Sequence, residues 1–256
     1  MILIVGTNDD VLIYLRNILR YSNVDEMPHD VKVNVGKIYG QDVAVANIGL
    51  SNYRTEIVTA ALISKYNPYI VISLSDVMKL TKGVKLGDCF LGTKIGLVDT
   101  DQIERLPSQK LNSIPGFPRF FSTSASLVGL FNDCAAQVNI LNEKDGTILS
   151  SNTFAITSDK LNFDVKDYEA QRNEDIVFDS DIGGVAIACH YLDIPLFPLA
   201  CVTHEVDNKQ SFIERNRLLL RTAMDLGKIV VSFIVSISSN ENLFIRSDEY
   251  DAKDRF

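Results

Sequence analysis

Two acids one residue apart, Asp179 and Asp181, stand where an apolar strand end stops. They belong to the stretch Ile176-Val-Phe-Asp-Ser-Asp-Ile-Gly-Gly-Val-Ala-Ile-Ala-Cys-His190, whose small residues read as a tightly packed helix. A second apolar run, further on, ends in Thr203-His204-Glu205-Val206-Asp207. Carboxylates and imidazole are the groups that general acid–base chemistry uses. In an open α/β sheet the strand ends and the loops after them form the ligand crevice. The competing reading is that these groups are only helix caps and solvated loop ends.

The elements that must position them alternate along the chain. Met1 to Val5 is a short buried strand running into Gly6. Thr7-Asn-Asp-Asp10 is a cap cluster for a helix over Val11 to Arg20. Tyr21 to Asp30 is polar and holds Pro28, which predicts a loop. Val31 to Ile38 and Asp42 to Asn47 read as a strand pair. After the turn Ile48-Gly49-Leu-Ser51, Asn52 to Tyr66 has helical spacing, with Ile57, Ala60, Ala61 and Leu62 predicted to face the core. Asn67-Pro68 ends that helix. Tyr69 to Leu74 is a buried strand that empties into Ser75-Asp-Val-Met-Lys79. Cys89 to Gly92, Thr147 to Leu149 and Leu196 to Val202 read as further strands, and Leu127 to Val138 and Gln210 to Ile237 as helices. Such alternation predicts an α/β fold: one domain over 1–237 with a central mixed β-sheet flanked by helices on both faces, then a polar tail over 238–256.

The totals narrow the function. At 256 residues, 46% of them apolar and 23% charged, the chain has the composition of one large packed domain. A formal net charge of −8 argues against nucleic acid as the main partner, since phosphate binding needs a basic face. No window has the length and apolarity to cross a bilayer, and Ile229 to Ile237, the best, falls well short. Met1 to Gly6 lacks the basic flank and cleavage site of a signal peptide. The four cysteines form no CxxC and read as buried thiols of a reducing, cytoplasmic compartment. No metal site and no cofactor are expected.

Several segments together resemble the nucleoside phosphorylase/nucleosidase superfamily, and within it the methylthioadenosine/S-adenosylhomocysteine nucleosidase branch. The similar features are Ile2-Leu-Ile-Val-Gly6 with its acidic helix cap, Asn47-Ile-Gly-Leu50 before a helix, and Asn67-Pro68 before a buried strand. Lys85-Leu-Gly-Asp88 is like the family's KVGD turn, and Ile114-Pro-Gly-Phe-Pro118 with Phe120-Phe121 is like its proline-rich segment. Asp181 to His190 with Ile194-Pro195 resembles its central helix. The shared order covers residues 1 to 236.

The resemblance implies cleavage of a ribosyl C1′–N bond of a purine nucleoside. A carboxylate steadies the sugar as it gains oxocarbenium character, an acid aids departure of the base, and an aromatic ring stacks on it. By resemblance, Asp181 is the ribose-binding carboxylate, one methylene shorter than the family's glutamate. Ser180 falls on a methionine that packs on the sugar, and Phe178 is an apolar wall. Phe154 is the stacking ring and Ala155 supplies backbone contacts. Gly49 and Asp76 fall among the substrate-binding positions. His204 stands where the family has its general-acid aspartate, and an imidazolium can donate a proton near neutral pH. The water-activating glutamate falls on Asp10 or Val11, and an arginine of the family on Ala200. The glycine-rich loop of the family is replaced by Ser75-Asp-Val-Met-Lys79. The Cys-His pair ending in His190 reads as structural. Family members are commonly homodimers, and Phe117, Phe120 and Phe121 are the candidate contacts.

The favoured function is therefore a nucleosidase acting on a small-molecule nucleoside such as methylthioadenosine or S-adenosylhomocysteine. The alternative is a catalytically impaired member that serves as a binding or structural protein. The third choice is a phosphorylase, disfavoured by the acidic charge and by the lack of an arginine at a matching anion site.

Overall fold

A computed structural model of the chain describes residues 1–98, 114, 116–152, 174–208 and 211–238. Strand β1 (Ile2–Gly6) shows the layering at once. Ile2 and Ile4 belong to one apolar cluster, Leu3 and Val5 to another, and all four are fully buried. Period-2 alternation with apolar residues on both sides means that both faces of the sheet are covered. The first face packs α1 (Asp9–Ile18), α3 (Ala125–Gln137) and α5 (Phe212–Ser238). The second packs α2 (Asn52–Tyr66) and α4 (Ile182–Tyr191). The fold is the single α/β domain with a mixed sheet that the alternation predicts.

The other strands are β2 (Arg20–Met27), β3 (Val31–Ile38), β4 (Gln41–Asn47), β5 (Ile70–Lys79) and β6 (Cys89–Leu97). They are followed by β7 (Phe120–Ser122), β8 (Glu143–Ser150), β9 (Ile176–Asp179) and β10 (Leu196–Glu205). The sheet runs β10-β6-β8-β9-β5-β1-β4-β3-β2, with β7 on β6. Since β10 also pairs with β5, the strands β5, β10, β6, β8 and β9 close on themselves. Strands β1, β4, β3 and β2 then extend from β5 as an open sheet.

Among the elements that differ from the sequence reading, two bear most on the sheet. Arg20–Met27 is a strand, not a loop; it lies at the sheet edge, mostly exposed, and pairs antiparallel with β3. An edge strand in solvent carries no apolar alternation for a reader to find. Second, β5 does not stop at Leu74 but runs to Lys79. A segment without glycine has nothing to break the strand, and β10 pairs with it to the end.

Helix α2 keeps its predicted bounds but not its predicted face. It buries Asn52, Thr55 and Thr59 with Leu62 and Ile63, while Ile57 is 70% exposed. The reason is its neighbour. Helix α4 is buried almost all round and offers Gly183 and Gly184 to α2. A Cβ at Gly184 would lie 2.7 Å from the Glu56 backbone nitrogen, and closer still to the Asn52 carbonyl and the Thr55 hydroxyl. Contact this tight admits small polar side chains that hydrogen-bond across it, and excludes Ile57.

Among the described residues no helix is long and apolar enough to cross a membrane. All four cysteines are free and buried, and burial pushes their thiols upward. Such thiols are inert side chains of the core.

The α2–α4 contact makes a stability prediction. Gly184→Ala should cost about 1–3 kcal/mol through overpacking, despite the ~1 kcal/mol of helix propensity that alanine gains. Urea unfolding checks it, and an unchanged midpoint would mean that the two helices separate freely.

Candidate active site

The crevice follows from strand register. Strand β5 keeps β10 beside it from Val71 to Lys79. Its other edge changes partner: β1 pairs with Ile70 to Leu74, and β9 with Met78 and Lys79. Across Ser75, Asp76 and Val77 neither strand is paired. There the chain leaving β1 continues into Thr7-Asn8, and the chain leaving β9 into Ser180-Asp181. Ligand crevices of open α/β sheets form where neighbouring strand ends part in this way.

Asp181 is the N-cap residue of α4 and is 5% exposed. Its side chain does not cap its own helix. Oδ1 instead accepts the Ser51 backbone N–H, which leads into α2. Its carbonyl accepts the Thr55 hydroxyl at 2.6 Å. The capping falls to Asp179, which accepts from the Asp181 N–H at 2.9 Å, the Ile182 N–H at 3.0 Å and the Ser150 hydroxyl at 2.9 Å. Ser150 Oγ in turn accepts the Gly183 N–H at 3.1 Å, and Asn52 Oδ1 accepts the Gly184 N–H at 3.0 Å. Every exposed amide of the first turn of α4 thus has a built acceptor. Asp179 is spent on this frame, whereas the Asp181 carboxylate takes no part in capping α4.

Asp76 stands in the gap of β5, with its side chain 11% exposed. It gathers donors from three elements: Asn8 Nδ2 at 3.1 Å, Arg215 of α5 at 3.0 Å and the Thr203 hydroxyl at 3.5 Å. Asn8 also caps α1, accepting the Val11 N–H at 3.1 Å. His204 follows on β10, with Nδ1 2.7 Å from Thr203 Oγ1 and 3.9 Å from Asp76 Oδ2.

Burial sets the charges. Desolvation raises Asp179 to about 7, with the neighbouring Asp181 charge adding and its hydrogen bonds opposing. Desolvation raises Asp181 to about 6, against the Ser51 N–H, and the charge of Asp76 adds to the rise. Desolvation, and then the Arg215 charge, lowers His204 to about 4, with Asp76 opposing. The imidazolium donor expected from sequence is therefore absent at neutral pH, where the ring is neutral. The first cause is burial, and the second is Arg215, a cation that the local sequence around His204 does not contain.

The remaining sequence candidates divide. Phe178 is buried against Met78 and Leu149 in a small apolar cluster, as a wall behind the strand end. Ser180 is half-buried and donates to Asp181. Gly49 has φ +80 and gives its N–H to Asn47 Oδ1 at 2.9 Å; a Cβ there would strike the Arg54 side chain. Val11 carries no titratable group and is buried in the core, and Asp10 is half-buried in the first turn of α1. Asp9 pairs with Arg16. Glu205 is held by Lys79 at 2.9 Å, away from His204. Phe154 and Ala155 lie outside the described residues. Phe121 is buried within its own chain, and His190 packs 5.7 Å and 5.4 Å from the rings of Phe117 and Phe121. His190 is thus part of an aromatic cluster, as its apolar helix face suggests.

Sequence reasoning missed Arg215, Ser51, Asn52 and Ser150. Arg215 is one of several charges on an amphipathic helix and carries no local mark. Asn52 and Ser150 had a signal: polar residues at core-facing positions opposite a Gly-Gly pair. Among the described residues no cluster of His, Cys, Asp or Glu could hold a metal.

This fold and crevice define a class. Residues 1–235 match the family model of the phosphorylase superfamily, and the chain belongs to that family. Within it, the chain is 24% identical over 234 residues to the 5′-methylthioadenosine/S-adenosylhomocysteine nucleosidase of Staphylococcus haemolyticus, covering 91% of this chain and 99% of that one. The solved nucleosidase of the same name from Neisseria meningitidis, in complex with methylthio-immucillin-A, superposes with a TM-score of 0.81 at 19% identity, over 92% and 98% of the two chains. The futalosine hydrolase of Helicobacter pylori superposes with a TM-score of 0.77 at 18% identity, over 92% and 97%.

The raised Asp179 has a consequence for stability. A carboxyl whose folded pKa is raised binds its proton more tightly when folded, so its contribution is greatest at low pH. It is lost as pH climbs from the ordinary 3.8 through about 7. Wild type should therefore lose stability relative to Asp179→Asn across that window, as urea unfolding at a series of pH values will read. A pH-independent difference would show that Asp179 is ionised in the fold throughout.

Proposed function

We propose that the chain is an N-ribosyl hydrolase that cleaves a purine nucleoside such as methylthioadenosine or S-adenosylhomocysteine. The observation that carries this is Asp181, a buried carboxylate gripped by the Ser51 amide at the edge of the crevice. Two rigid elements hold it, so its second oxygen is placed before substrate arrives. A carboxylate in this setting binds ribose hydroxyls and stabilises the positive charge that grows on the sugar. His204, neutral, makes a hydrogen bond to the base rather than delivering a proton as an imidazolium. Phe154 is assigned the stacking role and Ala155 the backbone contacts; Phe178, Ser180 and Gly49 line the sugar side. Curated relatives of nearly the same length that carry the nucleosidase name support this reading. The assay assigns the 5′ group and the base, since proteins of this fold include a futalosine hydrolase.

The competing reading, a ligand-binding member without turnover, is favoured by one observation. The segment Ser75 to Lys79 is strand, and Asp76 with Arg215 fills the gap there. It predicts binding without base release.

The same reading makes the protein a cytoplasmic homodimer. Its four free thiols suit a reducing compartment. Leu50, Tyr53 and Ile57 are 61%, 68% and 70% exposed beside Ser51 and Asp181, an apolar stripe at the crevice rim where a second copy would bury it.

Free base release from methylthioadenosine, S-adenosylhomocysteine, adenosine and inosine, with and without phosphate, tests the proposal. Turnover independent of phosphate is expected. Asp181→Asn should lower kcat by about 10²–10³-fold with the fold intact. Purine binding without release would favour the competing reading, and an unaffected rate would remove Asp181 from its role.

A further inference from the structure

Hydrolysis at C1′ needs a water opposite the departing base and a group that takes its proton. A positioned carboxylate is the ordinary choice. The described acids around the crevice leave few candidates. Asp179 is almost fully buried and accepts from Ser150, Asp181 and Ile182. Asp181 is committed to the sugar. On α1, Val11 carries no acid and Asp9 is tied to Arg16, which leaves the half-buried Asp10. Asp10 and Asp76 remain, and Asp76 is the one that stands in the part of β5 from which both β1 and β9 draw away.

From these placements we infer that Asp76 is the carboxylate that orients and deprotonates the attacking water, and that Arg215 holds it in place. The inference rests on the nucleosidase reading above. Three features support it. Asn8, the cap of α1, fixes one oxygen of Asp76 at 3.1 Å, so the carboxylate stands beside the first helix. Arg215 fixes the other at 3.0 Å from α5, with Thr203 at 3.5 Å, so the group has one orientation. Asp76 stands where β5 passes from β1 to β9, and the chain leaving β9 carries Asp181, whose pKa the Asp76 charge helps to raise. Arg215 reaches Asp76 from α5, whereas the position on β10 that falls on the family's arginine is Ala200.

The step balances without any further reactant. Water oxygen forms the new bond to C1′ as the C1′–N bond breaks. That bond's electron pair leaves with the base. The water's proton passes to Asp76, which gives it up to solvent or to the departing base. The products are the free sugar and the free base.

The test uses the full chain and adenine release from methylthioadenosine and adenosine. Asp76→Ala and the isosteric Asp76→Asn should each lower kcat by about 10²–10³-fold, with KM changed only a few-fold. Added formate should restore part of the rate to Asp76→Ala, and azide should divert it to a ribosyl azide. The isosteric variant keeps one acceptor oxygen and so loses the hydrogen bond of either Asn8 or Arg215; its melting temperature should fall, but its unfolding should remain cooperative, which shows that the variant is folded. Active wild type with unchanged kcat in a folded Asp76→Asn, or a slowed Asp76→Ala that neither formate nor azide rescues, would overturn the inference and leave the nucleosidase reading standing. Wild type without turnover on any nucleoside would overturn both.

Discussion

One strand changes partner, and the site is its consequence. Strand β5 cannot pair with β1 and β9 at the same residues, because both claim the same edge. The hand-over from Leu74 to Met78 leaves a short stretch of backbone edge with no strand against it. That edge must be satisfied by side chains, solvent or ligand. Here Asn8 arrives from the end of β1, while Asp179 and Asp181 arrive from the end of β9. The closed arrangement of β5, β10, β6, β8 and β9 makes the gap rigid. Neither β1 nor β9 can slide to fill it without shifting its own register, which would turn its buried side chains to the wrong face.

Rigidity matters because the gap collects charge. Three carboxylates and an imidazole in one low-dielectric crevice repel or neutralise each other unless each has a partner. The partners differ, and so do the outcomes. Asp179 has dipoles only, backbone amides and a hydroxyl, and burial wins, moving it up to about 7. Asp76 has a guanidinium. His204 sits beside both Asp76 and Arg215, and burial together with the arginine outweighs the carboxylate, moving it down to about 4. The stability effects of the acid and the imidazole then have opposite signs. Asp179 favours the fold as pH falls toward its ordinary value. His204 disfavours it as pH falls through its ordinary 6.5, since the unfolded ring gains a proton that the folded ring refuses.

Much of this was legible in the sequence, and what was not has a physical cause. The two-sided apolar strands announced a covered sheet. The acids at 179 and 181 announced a strand end with work to do, and the order of segments matched the superfamily across the domain. Asp181 and Asp179 could be ranked but not separated by pattern; only their hydrogen bonds show that Asp179 caps α4 and that Asp181 is held by the Ser51 amide. The inner face of α2 was misread because periodicity counts apolar residues, whereas this interface is built from Asn52, Thr55 and Thr59 against Gly183 and Gly184. Arg215 was invisible because its meaning depends on a partner 139 positions away. The edge strand β2 was hidden for another reason: it is mostly exposed and carries no apolar alternation.

The missing glycines at Ser75 to Lys79 change what can stand in the gap. Glycine serves where backbone must approach a ligand closely and the side chain must vanish. Losing it closes that approach, but it also lets the strand continue and brings side chains to the same place. A side chain in a gap can be inert filling or a functional group, and its neighbours decide which. Inert filling needs only volume, and an apolar residue provides that at least cost, as Val77 and Met78 do beside it. A carboxylate buried there costs desolvation, and an arginine ordered from another helix costs side-chain entropy. A gap filled by Asp76, with Asn8, Thr203 and Arg215 arranged around it, is the more expensive solution, and its expense is the physical reason to read it as chemistry.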